Sequence, residues 1–477
     1  MNNFKAAAHR ALPVFCALII SGCVLGPDYQ PPAIPLPAGW QAPLPHGASV
    51  KALSGWWQQF NDAPLEQLLA WAEADSPTLD QARASILQAR ATLDISQSDA
   101  APKLQGQLTR SRTGEREAGT GEVYSSSSAR LDASWEIDLF GEFRRSREAA
   151  GNRIQARIDD WHDARVSLAA EVADDYVQYR GCQKRVQAYQ EQLESQRQTA
   201  ELTDLSLKAG FTAPADLSLT QASAASSQST LIDQQSECDL LIKTLTQLTG
   251  SDETRVRTLL ERAPAVLPTP AQLAVTSIPA DLVRQRPDLA SRERDLAAAS
   301  ADIGVAKAQR WPTLSLSGSF QVGTQSGQLL RGWTMAPLLS LPLLDGGRGR
   351  ATVNSAEAAY DSALADYRQT LRNAVGEVEQ ALVRLDAARR REGDVERATE
   401  GYRNYFQAVD KSWQAGGVSV LDREVARRSA LDAQIELITL QQEQVSYWIA
   451  LYKALGGGWQ ADAAHLPVAQ ASRGERS

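Results

Sequence analysis

Pro77-Thr78-Leu79 opens one alanine-rich run, and Pro287-Asp288-Leu289 opens another 210 residues later. The same offset carries Pro102, which closes the first run, onto Pro312, which closes the second. Further along, Lys208-Ala209-Gly210 corresponds to Gln414-Ala415-Gly416, and LTQLTG ending at Gly250 corresponds to LYKALG ending at Gly456, both at an offset of 206. Four matches at almost one spacing indicate two copies of a unit of roughly 200 residues, so the fold must itself be duplicated. The copies fall at 65–263 and 280–459 and are joined by the proline-rich stretch 264–279. Residues 23–64 form a proline-rich extended segment ahead of them, and 460–477 a tail.

Each copy reads in the same order. A helix (77–101, then 287–311) stops at a proline, which cannot continue it and disfavours helix in the residue before. Alternating segments follow, predicted as strands at about 103–113, 123–140, 313–323 and 331–345. The polar stretches GEREAGTGE (114–122) and TQSGQ (324–328) are expected as the loops between them. Two very long helices, 142–208 and 350–414, then end at Gly210 and Gly416, where a helix C-cap would sit. An antiparallel partner returns from each to Gly250 or Gly456. At 1.5 Å per residue each long run is about 100 Å of helix, which no compact globule holds. A free-standing coiled-coil rod would explain the helices but leaves the strands without a purpose.

Four strands cannot close a barrel, because small closed barrels begin at about eight. Left open in hydrocarbon, the sheet would strand its edge groups at several kcal/mol each. If the strands enter a membrane, chains must share the barrel: two would supply eight strands filled by side chains, three would supply twelve and room for a passage. The alternative is a water-exposed four-stranded sheet packed on its helices.

The chain carries a net charge of −8 with 22% charged residues, which argues against a nucleic-acid partner. No zinc spacing, Walker loop, nucleophile elbow or dinucleotide fingerprint is found, so no enzyme, metal or cofactor is expected. The GGRG at 346–349 reads as a turn. At the amino end, Lys5 and Arg10 precede an apolar stretch from Ala11 to Ile20 that is too short to span a bilayer, as in an export signal over 1–22. The small residues Ser21-Gly22 lead into Cys23, as in the lipobox of bacterial lipoproteins, where that cysteine is lipidated; a chance cysteine after a plain signal is the alternative. Val24 follows it, rather than the aspartate associated with inner-membrane retention. Cys182 and Cys238 each lie 28 residues from Gly210, so an antiparallel helix pair folded there brings them to similar heights. A disulfide or two buried thiols are both open.

The cysteine followed by GPDYQPP, the Trp56-Trp57 pair before Phe60-Asn61-Asp62, the duplicated plan and the closing LYKALGGGW (451–459) together resemble the outer-membrane factor family. These are the TolC-like channels, in their OprM/NodT lipoprotein branch, and the likeness spans essentially the whole mature chain. It implies a mixed α and β membrane protein: a homotrimer with one twelve-stranded β-barrel in the outer membrane and a long helical barrel in the periplasm. It also implies the exit duct of a tripartite system, joined through a periplasmic membrane-fusion (adaptor) protein to an inner-membrane transporter of RND, ABC or MFS type. Localisation would be the cell outer membrane, with a lipid anchor at Cys23 and contact with outer-membrane lipid.

In such a barrel Ser315, Ser317, Ser319 and Gln321, with Asp132, Ser134, Glu136 and Asp138, would line the lumen. Leu314, Leu316, Phe320, Val322, Leu131, Trp135 and Ile137 would face lipid. The tips at 208–217 and 414–423, with Gly210, Asp216, Gly416, Leu421 and Asp422, would hold the gate and meet the adaptor. In the family an apolar residue near the second tip, followed one turn later by an acidic one, narrows the pore. Leu421 matches the first position, but Val425 occupies the second; Asp422 and Asp216 could instead cap or pair locally. Export of drugs or other toxic small molecules is the expected function, a type I protein secretion duct the alternative, and a rod without a pore a distant third.

Overall fold

A proline closes the first helix of each copy, and the chain changes conformation at that point. The computed structural model describes residues 24–32, 56–117, 120–268, 285–325 and 328–459. After a 3-10 turn (Trp56–Phe60) come α1 (Ala63–Ala74), α2 (Pro77–Asp99), β1 (Lys103–Glu117), β2 (Thr120–Ile137), α3 (Glu142–Lys208), α4 (Pro214–Thr249) and α5 (Glu253–Glu261). The second copy supplies α6 (Pro287–Ala308), β3 (Thr313–Gln325), β4 (Gln328–Ser340), α7 (Arg348–Gln414) and α8 (Val420–Ala454). The long helices have 67 residues each. Among the described residues no helix is long and apolar enough to cross a membrane.

The chain forms two compact units. The first draws on 24–32, 82–159 and 290–370. Its sheet has the order β1-β2-β3-β4, all antiparallel. The central pair β2–β3 joins the first copy to the second, from Ser126↔Gln325 to Ile137↔Leu314. The hairpins are longer than the sequence suggests: β1 and β2 stay paired out to Glu117↔Thr120, and β3 and β4 to Gln325↔Gln328. Most of the polar stretch expected as a loop at 114–122 is therefore strand. The ladder is made of backbone groups, and it continues after the side-chain alternation that advertises it has faded. At the other end β2 stops at Ile137 instead of 140, where Leu139 N–H turns back to the Ile137 carbonyl (2.9 Å). β4 stops at Ser340 instead of 345, ahead of Pro342.

Below the strands in sequence, α3 and α6 pack antiparallel through the buried alanines Ala149, Ala298 and Ala301. Arg157 donates to both Asp295 oxygens at 2.8 Å, and Arg153 pairs with Asp302. The residues after position 23 lie across this pair as a strap. Leu25 N–H donates to the Phe140 carbonyl (3.2 Å), and the buried Arg145 donates to the Leu25 carbonyl (3.2 Å), to Asp28 (2.7 Å) and to Glu148 (2.8 Å). Gly26 has φ +100° and faces Gly304 so closely that a Cβ on it would lie 2.5 Å from the Gly304 Cα. Glycine at both positions lets the strap lie flat on α6.

The second unit draws on 56–81, 160–268, 285–289 and 371–459. Its core explains the early tryptophan pair: Trp56 stacks on Tyr452 (5.2 Å) and tilts against Trp448 (5.8 Å), while Trp57 meets Tyr452 edge-on (4.9 Å). Leu65, Leu68, Val172, Leu245, Leu260, Leu382 and Leu451 complete it without solvent contact. Asp62 caps α1 by accepting from Leu65 N–H (3.1 Å) and also accepts from the Tyr176 hydroxyl (2.8 Å). Tyr176 in turn accepts from the fully buried Arg180 (3.0 Å), whose guanidinium also reaches Gln183 and the Leu260 carbonyl. Cys182 on α3 and Cys238 on α4 form a disulfide with Cα atoms 5.7 Å apart, closing a 56-residue separation. A loop of that size is worth about 4 kcal/mol in the chain-entropy account.

Arg286, 8% exposed in its side chain, is the node at the entry to the second copy. It holds both Asp288 oxygens (2.9 and 2.8 Å), Glu377 on α7 (2.7 Å) and the Ala454 carbonyl at the end of α8 (2.9 Å). Close to it, Asp163 on α3 is pushed up to about 6 by burial and by Asp288, against the opposing pull of Arg286 and Lys453. A carboxyl with a raised folded-state value binds its proton more tightly in the native state, so stability falls as pH rises from about 4 to about 6. Asp163→Asn should therefore stabilise the protein at pH 7.5 by on the order of 1–3 kcal/mol, seen as a raised unfolding temperature, and change little at pH 4. Thermal unfolding at the two pH values checks this; an equal shift at both would contradict it.

Candidate functional site

Directly opposed residues of an antiparallel ladder project to the same face of the sheet. The central ladder pairs Asp132 with Ser319, Ser134 with Ser317, Glu136 with Ser315 and Arg130 with Gln321. Between these rows Leu131 opposes Phe320, Trp135 opposes Leu316, Ile137 opposes Leu314 and Ala129 opposes Val322. Seven of the eight polar residues picked out by alternation thus share one face, and the large apolar residues share the other. A slip of one residue in the β2–β3 register would have mixed them. Asp138 is not part of the polar face: it lies past the end of β2 and accepts from the Arg144 backbone N–H (3.0 Å) and side chain (3.2 Å).

The outer strands extend both faces. β1 adds Lys103, Gln105 and Gln107 to the polar side, opposite Ser134, Asp132 and Arg130. The sequence shows β1 as a weaker alternating strand than β2 or β3, and these three residues do not stand out from it. On the same face Arg130 pairs with Asp132 (2.7 Å) and Lys103 with Asp99 (2.8 Å). β4 is less regular and puts Leu338 opposite Ser315. Among the described residues nothing covers the apolar face: Leu108 is 86% exposed, Trp333 78% and Met335 66%. A contiguous exposed apolar surface of this kind marks contact with lipid or with another chain.

The two helix-hairpin turns, in the second unit, are built alike. Gly210 and Gly416 adopt φ +79° and +77°, the left-handed conformation a glycine C-cap supplies. Asp216 accepts from Ala213 N–H (3.3 Å) and the Thr212 hydroxyl (2.9 Å). Asp422 forms a full capping box with Ser419, accepting from its N–H (3.1 Å) and hydroxyl (2.6 Å) while Asp422 N–H donates back to the Ser419 oxygen (3.1 Å). The Ser419 contacts hold the Asp422 carboxyl below the usual range. Of the two roles open to these aspartates, the structure gives both the cap.

Beyond the cap, α8 is inverted. Leu421 and Val425, one turn apart, are 56% and 52% exposed, while Arg423, Glu424 and Arg427 are buried. Arg427 donates to Glu424 (2.7 Å) and to the Thr199 hydroxyl (2.8 Å); Arg423 reaches Asp410 (2.5 Å) and Thr199, and lies over the Trp413 ring at 4.4 Å. Gln196 donates to the second Glu424 oxygen (3.4 Å). Burial pushes the Glu424 carboxyl up, against the pull of Arg423. Sequence reasoning missed this cluster, because DREVARR reads as a solvated charged face. The only cue was the apolar pair at 421 and 425, on the side where a lone helix would be polar.

Comparisons with known proteins agree with this geometry. The sequence profile of the family described as "Outer membrane efflux protein" matches the chain twice, at residues 68–251 and 278–457, one match per copy. Nodulation protein T of Rhizobium leguminosarum bv. viciae is 31% identical over 97% of this chain and 95% of its own. Outer membrane protein OprJ of Pseudomonas aeruginosa is 31% identical over 93% of this chain and 94% of its own. The solved structure of the outer-membrane channel OprN superposes with a TM-score of 0.83 at 30% identity, covering 92% of this chain and all of that one. The chain belongs to the outer membrane efflux protein family and has the fold of its TolC-like channels, in which three chains share one twelve-stranded barrel.

Proposed function

We propose that this protein is the outer-membrane exit duct of a tripartite efflux assembly for drugs or other toxic small molecules. A periplasmic adaptor would engage the helix-hairpin tips, and an inner-membrane transporter would supply the driving force. The observation that carries this reading is the ladder register, which sorts polar and apolar side chains onto opposite faces of a sheet with two free edges. In a twelve-stranded barrel the face with Asp132, Ser134, Glu136, Ser315, Ser317, Ser319 and Gln321 lines the lumen. The face with Leu316, Phe320 and Trp135 meets lipid.

Gating belongs to the tips. Leu421 and Val425 from each of three chains narrow the passage with apolar surface, so a carboxylate ring at 425 is not needed for closure. The buried Arg423, Glu424 and Arg427 hold that end of α8 to α3 and α7 through Thr199, Gln196 and Asp410.

Lipid attachment at Cys23 fits the strap. Cys23 lies outside the described residues, but Leu25 is bonded to Phe140, three residues past the end of β2, and a Cβ on Gly141 would lie 3.0 Å from a Val24 methyl. The strap holds Val24 and Leu25 beside the strand ends, and this supports an acyl chain on the residue before them entering the periplasm-facing leaflet.

Three outcomes are expected. Leu316→Arg should abolish membrane assembly, at roughly 2–4 kcal/mol per midplane charge, while Ser317→Arg assembles; equal yields of heat-modifiable trimer would refute the face assignment. Purified protein should form pores in planar bilayers, and Leu421→Ala should raise their conductance; an unchanged conductance would move the gate elsewhere. Mass spectrometry of the mature amino-terminal peptide should show acyl mass that disappears in Cys23→Ser, and an unmodified wild-type peptide would exclude the anchor.

A further inference from the structure

The apolar face of the sheet ends in arginines on one side only. Along β2 and β3 it runs from Ile137 and Leu314 to Ala129 and Val322. Eight residue-to-residue steps at about 3.4 Å each give about 27 Å of strand, or roughly 20 Å of bilayer at a 40° tilt, close to the apolar band of outer-membrane barrels. At that margin the chemistry changes while the face stays the same. Arg331 opposes Val322, and in the next rows toward the hairpin turns Arg110 opposes Ser127 and Arg112 opposes Ser125. All three arginines are exposed. The basic residues on the polar face, Lys103 and Arg130, each have a carboxylate partner. Among the described residues none of the three on the apolar face has one.

Three exposed guanidiniums beside a hydrocarbon band need anions at the depth where lipid headgroups begin. We infer that Arg110, Arg112 and Arg331 form a docking surface for the phosphate groups of lipids in the leaflet on the hairpin side of the membrane. Guanidinium suits this ligand because its planar donor fork binds phosphate oxygens in pairs. The surface is continuous with the face already assigned to lipid, so a bound lipid keeps its chains on Leu108 and Val322 and its phosphate on the arginines. Arg331 lies on edge strand β4, and Arg110 and Arg112 on edge strand β1. In the shared barrel β4 of one chain neighbours β1 of the next, so each seam between subunits carries arginines on both sides. A phosphorylated lipid seated there would clamp the seam.

This inference rests on the strands spanning the membrane as proposed, and the test separates the two. Purified trimer in phosphatidylcholine nanodiscs is given bisphosphorylated lipid A or its dephosphorylated form, and the lipid retained after detergent exchange is counted by native mass spectrometry. Wild-type protein should retain several-fold more of the bisphosphorylated form. Arg110→Gln/Arg112→Gln/Arg331→Gln should reduce retention to that of the dephosphorylated lipid, and Arg390→Gln on α7 should leave it unchanged. Equal retention of the two lipids by wild type, or unchanged retention by the triple variant, would overturn the assignment. If the triple variant does not form trimers, the wild-type comparison of the two lipids decides. Pore conductance reports the spanning reading separately, since it depends on the lumen and not on the outer face.

Discussion

An open sheet edge cannot be left in hydrocarbon, and most of this structure follows from that. Among the described residues β1 and β4 each pair on one side only, so the sheet presents two open edges. Water would satisfy them; a bilayer cannot, at several kcal/mol per group. Closure by other copies satisfies them, and under the proposed face assignment it also turns the surface carrying Leu108, Trp333 and Met335 toward lipid. The duplication serves the same end. By pairing β2 of the first copy with β3 of the second, the chain makes a continuous four-stranded piece that needs only two seams.

The requirement that polar groups find partners acts differently at the helix tips. There α8 buries Arg423, Glu424 and Arg427 among Thr199, Gln196 and Asp410, and exposes Leu421 and Val425. Breaking one member of such a cluster leaves a buried charge without compensation, which is far more costly than losing a surface pair. A helix end built this way is held firmly by its own chain while it offers apolar side chains to others. That combination suits the gate proposed for these tips.

Much of this could be read in advance. Prolines and glycines at repeated offsets marked the ends of the helices to within three residues, since these residues act through local backbone sterics that no tertiary context overrides. The faces of β2 and β3 were legible because Leu131, Trp135 and Ile137 alternate strictly with Asp132, Ser134 and Glu136. Strand ends were not, because the backbone ladder continues over 114–117 and 120–122, past the point where side-chain alternation marks it. Lys103, Gln105 and Gln107 were missed because β1 carries few large apolar residues to mark its period, so its face is set by pairing with β2.

The sequence by itself therefore determined the duplicated order of elements, the impossibility of a closed one-chain barrel and the sorting of the central strands, all of which depend on local sterics and on period. Tertiary structure alone decided the partners. It set Asp216 and Asp422 as caps instead of free carboxylates, paired Cys182 with Cys238, folded the strap over Gly304 and turned DREVARR inward onto Thr199. Each of these joins groups far apart along the chain or chooses between two satisfied local states. The choice rests on burial and on which neighbour is within hydrogen-bonding reach, and neither is written in the spacing of residues.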